Sequence, residues 1–164
     1  MKVLGTYYSD TGNTEKVAKA IYEEVSKKNK ADLKKVRDTN PQEFAEYDRV
    51  FLGSPIHSFD LPSPVKRILD ALPKAPKYKL AGFITHMSPM SEKHDGHDRC
   101  FTSLEKVSKE KRIDFKGCYN CQGIPSPPIE EFIHKTIVTS DKDWKEYIEE
   151  AKKHPSSEDL RKAN

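Results

Sequence analysis

Cysteine is scarce: three among 164 residues, too few and odd in number for a secreted disulfide framework and in keeping with a reducing compartment. Long apolar runs are missing, and nothing approaches the ~18 residues of a membrane span. The amino-terminal Met1-Lys2-Val3-Leu4-Gly5 turns polar by Ser9, too soon for the apolar segment of a secretory signal, so a cytoplasmic protein without membrane partners is expected. Charge of one sign is missing as well. The 29 Lys and Arg against 26 Asp and Glu leave +3, spread along the chain, which excludes the clustered basic footprint of a nucleic-acid binder. Internal repeats and low-complexity tracts are absent. So are the G-x-G-x-x-G fingerprint of a dinucleotide fold and the G-x-x-x-x-G-K-[ST] loop that binds nucleotide triphosphates. What is there is a heavily charged surface, 34% Asp, Glu, Lys and Arg, over enough apolar residues (35%) for one core. Residues 1–164 read as a single domain, within the ~100–200 residues usual for one.

Two periodicities alternate along the chain. Val3, Leu4, Thr6, Tyr7 and Tyr8 form a β-favouring run, and Val17, Ala18, Ile21, Tyr22 and Val25 follow at helical spacing. Ala31 to Arg37 is a lysine-rich strand suited to an exposed sheet edge, where charge discourages pairing with other chains. Val50 to Gly53 is fully apolar, as in a strand buried on both faces of a parallel sheet. Val65, Ile68, Leu69 and Leu72 mark a helix, with Pro62 and Pro64 where its first turn starts. Leu80 to Thr85 is a fourth strand and residues 86–99 a long polar loop. Phe101, Leu104 and Val107 mark another helix, and Ile113, Phe115 and Tyr119 a fifth strand. A Gly/Pro-rich break (QGIPSPP) follows, then a helical stripe of Trp144, Tyr147, Ile148 and Ala151, with Trp144 expected in the core. Pro155-Ser156-Ser157-Glu158 reads as the capped start of a last short helix. Strands alternating with helices predict a doubly wound α/β sheet whose right-handed crossovers place helices on both faces.

Ser9-Asp10-Thr11-Gly12-Asn13-Thr14 lies between the first strand and the first helix, at a carboxyl strand end, where open α/β sheets bind ligands. Ser9, Thr11 and Thr14 bring hydroxyls, Gly12 permits a left-handed or closely approached backbone, and a helix start offers free N–H groups and a positive dipole end. That is a cradle for a phosphate dianion made of neutral donors; the same residues also serve simply to turn a chain and cap a helix. S-x-T-G-x-T after an amino-terminal strand, as Ser9, Thr11, Gly12 and Thr14 stand, resembles the FMN-phosphate loop of the flavodoxins. Phe51-Leu52-Gly53-Ser54-Pro55 followed by Leu61-Pro62-Ser63-Pro64-Val65 is similar to the strand, flavin loop and helix start of that family, and residues 154–160 (HPSSEDL) are similar to a tail in some of its sequences. The resemblance implies a flavodoxin-like three-layer sandwich with a five-stranded parallel sheet in the order 2-1-3-4-5 and non-covalent FMN. It also implies electron transfer between a reductase or ferredoxin-type donor and an acceptor enzyme. A flavodoxin-like NAD(P)H:quinone or protoporphyrinogen oxidoreductase is the alternative, and no catalytic residue is assigned. The cofactor contacts implied are Ser9 to Thr14 for the phosphate, and for the ring Ser54, Pro55, Ile56, His57, Ser58 and Phe59 in one loop and Thr85, His86 and Met87 in another.

Three features depart from the family pattern. His57 and Phe59 are the flat side chains of the first flavin loop, but the second has no Tyr, Trp or Phe. Thr85, His86 and Met87 are therefore expected to meet the flavin through backbone groups and the thioether. Residues 54–61 contain no glycine, so a positive φ there costs roughly 1 kcal/mol or more, and one-electron reduced flavin is expected to accumulate less. Family members are typically acidic, whereas a charge of +3 together with His57 and His86 predicts a less reducing, pH-dependent couple. Cys118-x-x-Cys121 lies on a strand, where residues three apart face opposite sides, which favours core cysteines over a redox dithiol. His94-x-x-His97-x-x-Cys100 with Cys118 and Cys121 has zinc-type spacing, yet solvated histidines are the ordinary outcome in so polar a loop, and no metal is assigned. The lysine runs at 27–30 and 34–35 read as solvated faces or as docking surface for an acidic redox partner.

Overall fold

The apolar and β-branched runs become five strands: β1 (Lys2–Tyr7), β2 (Lys30–Lys35), β3 (Arg49–Pro55), β4 (Lys79–His86) and β5 (Asp114–Gln122). All pair in parallel, in the order β2-β1-β3-β4-β5. The computed structural model describes residues 1–58, 60–88 and 95–163, with residues 95–99 described for their backbone alone. The lysine-rich β2 stands at one edge, as its charge predicts, and the apolar β1, β3 and β4 stand at the centre.

Helices cover both faces. On one, α2 (Ser63–Ala71) and α3 (Asp95–Glu110) pack Val65, Ile68, Leu69, Cys100 and Leu104 against Leu4, Leu52, Leu80 and Ile84 of the sheet. On the other, α1 (Asn13–Ser26) packs Val17, Ala18 and Ile21 against Tyr7, Phe83 and Cys121, with Leu160 and Ala163 of the carboxyl-terminal end beside them. Each fully buried Leu, Ile or Phe stabilises the sandwich by about 1.5–3 kcal/mol relative to exposure. The last helix, α6 (Ser157–Lys162), is capped by Ser156, whose hydroxyl accepts from Asp159 N while the Asp159 carboxylate accepts from Ser156 N.

Three expectations are corrected. Residues 95–99, expected to be loop, are the first turn of α3; Gly96 suggests a turn, but Asp95 and Asp98 suit the positive end of a helix dipole, and the buried stripe of Cys100 and Leu104 holds the turn in place. The break at QGIPSPP is brief, because Pro127 and Pro128 open a helix, α4 (Pro127–Thr136), where proline costs no hydrogen bond. Trp144, on α5 (Asp141–Ala151), is only half buried and belongs to neither core; its indole stacks on the His134 ring of α4 at 4.8 Å and 15°. Helix α4 is the partner that the sequence alone did not reveal. Among the described residues no helix is long and apolar enough to cross a membrane.

Candidate functional site

The β1–α1 loop is shaped by Gly12, whose φ of +89° only glycine adopts without strain. Ser9 Oγ accepts from Gly12 N at 3.1 Å and from Glu15 N at 3.4 Å, which folds the loop over the start of α1. The first intrahelical bond runs from Lys16 N to Gly12 O. The amides of Thr11, Asn13 and Thr14 therefore find no acceptor among the described residues and point from a helix amino terminus, where the backbone dipole favours an anion. Thr14 Oγ1 lies 2.8 Å from Thr85 Oγ1, a buried contact that fastens this loop to the carboxyl end of β4.

The loop opens onto a cleft at the carboxyl ends of β1, β3, β4 and β5. Asp10, Thr11, Asn13 and Thr14 form one wall; Pro55, Ile56 and His57 form the second, and Thr85, His86 and Met87 the floor. Of the expected contacts, Ser9 and Gly12 shape the loop without lining the cleft, and two of the ring contacts stand apart from it. Ser54 is buried with its hydroxyl donating to Pro55 O, and Ser58 occupies the exposed tip of a tight turn closed by two His57–Asp60 backbone bonds of 2.9 Å. Ser58 takes φ +48°, so the glycine-free loop does adopt the left-handed conformation expected to be costly there, next to the isolated His57–Asp60 bridge. Phe59 lies outside the described residues.

Polar side chains meet across the cleft mouth. His57 Nε2 sits 3.0 Å from Asp10 Oδ2, and its ring meets Tyr8 edge-on at 6.0 Å. The Tyr8 hydroxyl donates to Asp10, which with burial raises its pKa above the ordinary phenol value. The floor is held from behind. His86 is buried, with Nδ1 3.0 Å from Ser88 O and Nε2 3.1 Å from Asn120 Oδ1. The carbonyls of Thr85, His86 and Met87 are already taken, by Ile56 N, by Gly123 N, and by Gln122 Nε2 together with the Tyr147 hydroxyl of α5. With those carbonyls engaged, the Thr85 and Met87 side chains stay beside the cleft, where contact through backbone groups and the thioether was expected.

A fourth wall escaped the sequence reading: Gly123, Ile124, Pro125, Ser126 and Ile129, from the end of β5 into α4. The rule that ligands sit beyond carboxyl strand ends applies to β5 as much as to β1 and was the available signal. Asn13 joins this wall to the phosphate loop, its Nδ2 donating to Thr11 Oγ1 and to Ile124 O. Asn13 Oδ1 is then left buried without a partner. An unpaired buried acceptor on a residue that lines a cleft is complementary to a ligand hydroxyl or N–H. Three free amides for a phosphate and one orphaned acceptor for a hydroxylated chain fit the chemistry of FMN.

The three cysteines are unpaired by disulfides and sit in or against the two cores. Cys118 packs in the α2/α3 core and Cys121 in the α1 core, on opposite faces of β5, and burial pushes the pKa values of Cys100, Cys118 and Cys121 up to about 12. A vicinal redox dithiol is thereby ruled out. Among the described residues no group of His, Cys, Asp and Glu could hold a metal; His94 and the His97 side chain lie outside them.

The model of the Flavodoxin domain family matches residues 4–164. No curated protein matches the sequence. Among solved structures, oxidised Flavodoxin 2 from Bacillus cereus is 17% identical, with all of both chains covered and a TM-score of 0.64. A flavodoxin from the domain Archaea is 16% identical, with 99% of each chain covered and a TM-score of 0.58. Rubredoxin oxygen:oxidoreductase from Desulfovibrio gigas is 17% identical with a TM-score of 0.62, covering 89% of this chain but 36% of its own. With its strand order, its free amides at the first strand end and a family match over nearly its whole length, the chain belongs to the flavodoxin domain family, an FMN-binding, electron-transfer fold.

Proposed function

We propose that the protein is an electron carrier that holds FMN in this cleft, its phosphate on the Ser9–Thr14 loop and its ring between the Pro55–His57 wall and the Thr85–Met87 floor. The observation that carries the reading is the set of unpaired amides of Thr11, Asn13 and Thr14 at the start of α1, beside the orphaned Asn13 Oδ1. Bound FMN supplies the electron storage. The chain's residues do the rest. The amides bind the phosphate, the His57 ring pairs with the Asp10 carboxylate at the edge of the loop, and the His86–Asn120 pair supports the floor. The enclosed volume of the cleft, about 110 Å³, is below the ~300 Å³ of ordinary ligand pockets, so a flavin here keeps an edge outside the protein. An exposed edge suits exchange with a reductase or ferredoxin-type donor and an acceptor enzyme rather than chemistry on an enclosed substrate.

The second reading, an NAD(P)H:quinone or protoporphyrinogen oxidoreductase, draws on the apolar wall of Ile124, Pro125 and Ile129, which would receive a flat substrate. Fluorescence titration of the apoprotein tests the cofactor: FMN is expected to bind at least ~10-fold more tightly than riboflavin, since the phosphate contacts are charge-assisted. Equal affinity, or no binding of FMN, refutes the assignment. NAD(P)H-driven quinone turnover without added reductase would favour the enzyme over the carrier.

A further inference from the structure

Beside the phosphate loop, toward the β2 edge, lies a second cavity of about 630 Å³, lined in part by Ser9 and Asp10 of that loop. Its cations come from three separate elements: Lys35 at the end of β2, Arg37 in the short 3-10 segment Val36–Asp38, and Arg67 on α2. They are weakly paired. Arg37 meets the adjacent Asp38 at 3.6 Å, both side chains exposed, and Lys35 reaches Glu15 at 3.9 Å; Arg67 has no ion pair among the described residues. The one carboxylate in the lining, Asp10, is already engaged by His57 and Tyr8. Three cations against one carboxylate leave the lining with an excess of positive charge, and such a cleft concentrates anions.

The rest of the cavity is not polar. Tyr7, Val36 and Ile68 make a buried floor, and Tyr8, Pro41 and Pro64 line it alongside. Inorganic phosphate would satisfy the cations and leave that floor uncovered. An apolar molecule would do the reverse. We propose that the cavity binds a phosphorylated nucleoside, its base on the Tyr, Pro and Ile surface and its phosphate held by the planar guanidinium groups of Arg37 and Arg67, whose forked donors match phosphate oxygens. The volume falls within the ~300–1,000 Å³ of small-molecule sites, which favours a compact ligand over a protein surface. Asp10 lines both cavities, so the nucleotide lies beside the flavin cleft and leaves it open.

The test uses FMN-saturated protein, with saturation read from flavin absorbance before any nucleotide is added, so that failure of the cofactor assignment is seen separately. Calorimetric titration with adenosine 2′,5′-bisphosphate is expected to show saturable binding at one site without release of FMN. Affinity should fall about tenfold or more in each of Arg37→Gln and Arg67→Gln, the loss of a charged hydrogen bond, while both variants keep the flavin spectrum. Lys28→Gln, an exposed lysine just beyond the far end of α1, should leave the affinity unchanged. Adenosine alone and inorganic phosphate alone should each bind about tenfold or more weakly than the bisphosphate. Absence of binding at millimolar bisphosphate, an affinity in both arginine variants unchanged from that of the unsubstituted protein, or displacement of FMN overturns the proposal. So does binding of poly-glutamate in place of the bisphosphate, which would give these cations to an acidic protein partner.

Discussion

Gly53 on β3 pairs in register with Phe83 on β4, and the Phe83 ring, 1% exposed, occupies the space a side chain at 53 would need. A Cβ on Gly53 would fall onto Cε2 and Cζ of that ring and lie 3.0 Å from Cδ2. In Gly53→Ala the ring must therefore retreat into the α1 core, where Val17, Ala18 and Cys121 are already packed. Overpacking of this kind costs about 1–3 kcal/mol, offset by ~0.5–1 kcal/mol because alanine loses less backbone entropy than glycine on folding. A net loss of about 1–2 kcal/mol is expected. Phe83→Ala alone removes a fully buried aromatic and should cost about 3–5 kcal/mol. In the double variant the clash has no partner and the new methyl fills part of the vacated space, so Gly53→Ala becomes neutral or stabilising there. Urea denaturation of the four proteins, followed by circular dichroism, measures the cycle. If Gly53→Ala costs the same in both backgrounds, within the ~0.5 kcal/mol that independent sites allow, the steric account is wrong.

Three further outcomes follow from the geometry. Burial pushes the Asp159 carboxyl up, but the Ser156 N–H and hydroxyl and the His154 ring hold it, on balance, below the usual carboxylate range. Its stabilisation is thus fully present above the ordinary unfolded value of ~3.9 and is lost as pH falls through the lower native value. Asp159→Asn should cost about 1–2 kcal/mol at pH 7 and nothing once the native carboxyl is protonated, measured by urea titrations across pH; a pH-independent deficit would contradict this. With native thiol pKa values of about 12, a disulfide reagent at pH 8 meets roughly a thousandfold less thiolate than at an ordinary cysteine, so native labelling should be very slow and all three thiols should react after unfolding. Ser58→Val places a β-branched residue at φ +48° and should destabilise the apoprotein by roughly 1 kcal/mol; an unchanged urea midpoint would mean that the turn is not left-handed.

Local chemistry made much of this protein legible. The apolar run at Val50 to Gly53, the charged strand at the β2 edge, the prolines opening α2 and the capping serine of α6 each carry their structure in a few neighbouring residues, so propensity and pattern suffice. The S-x-T-G-x-T loop was legible for the same reason: a turn that needs Gly12 at positive φ and a helix start with unpaired amides are local facts.

What spans distant segments required the tertiary structure. The fourth wall of the cleft comes from residues more than a hundred positions after Asn13, and no periodicity joins Asn13 Nδ2 to Ile124 O. Helix α4 hid behind prolines that read equally well as a break, and with it went the partner that covers Trp144. The strand and helix pattern, the edge strand and the anion-binding turn can be read along the chain, because they depend on backbone preferences and side-chain spacing within one element. The engaged carbonyls of the floor, the pairing of His57 with Asp10 and the convergence of Lys35, Arg37 and Arg67 on one cavity come from folding alone, because a sheet brings carboxyl strand ends together regardless of their distance along the chain.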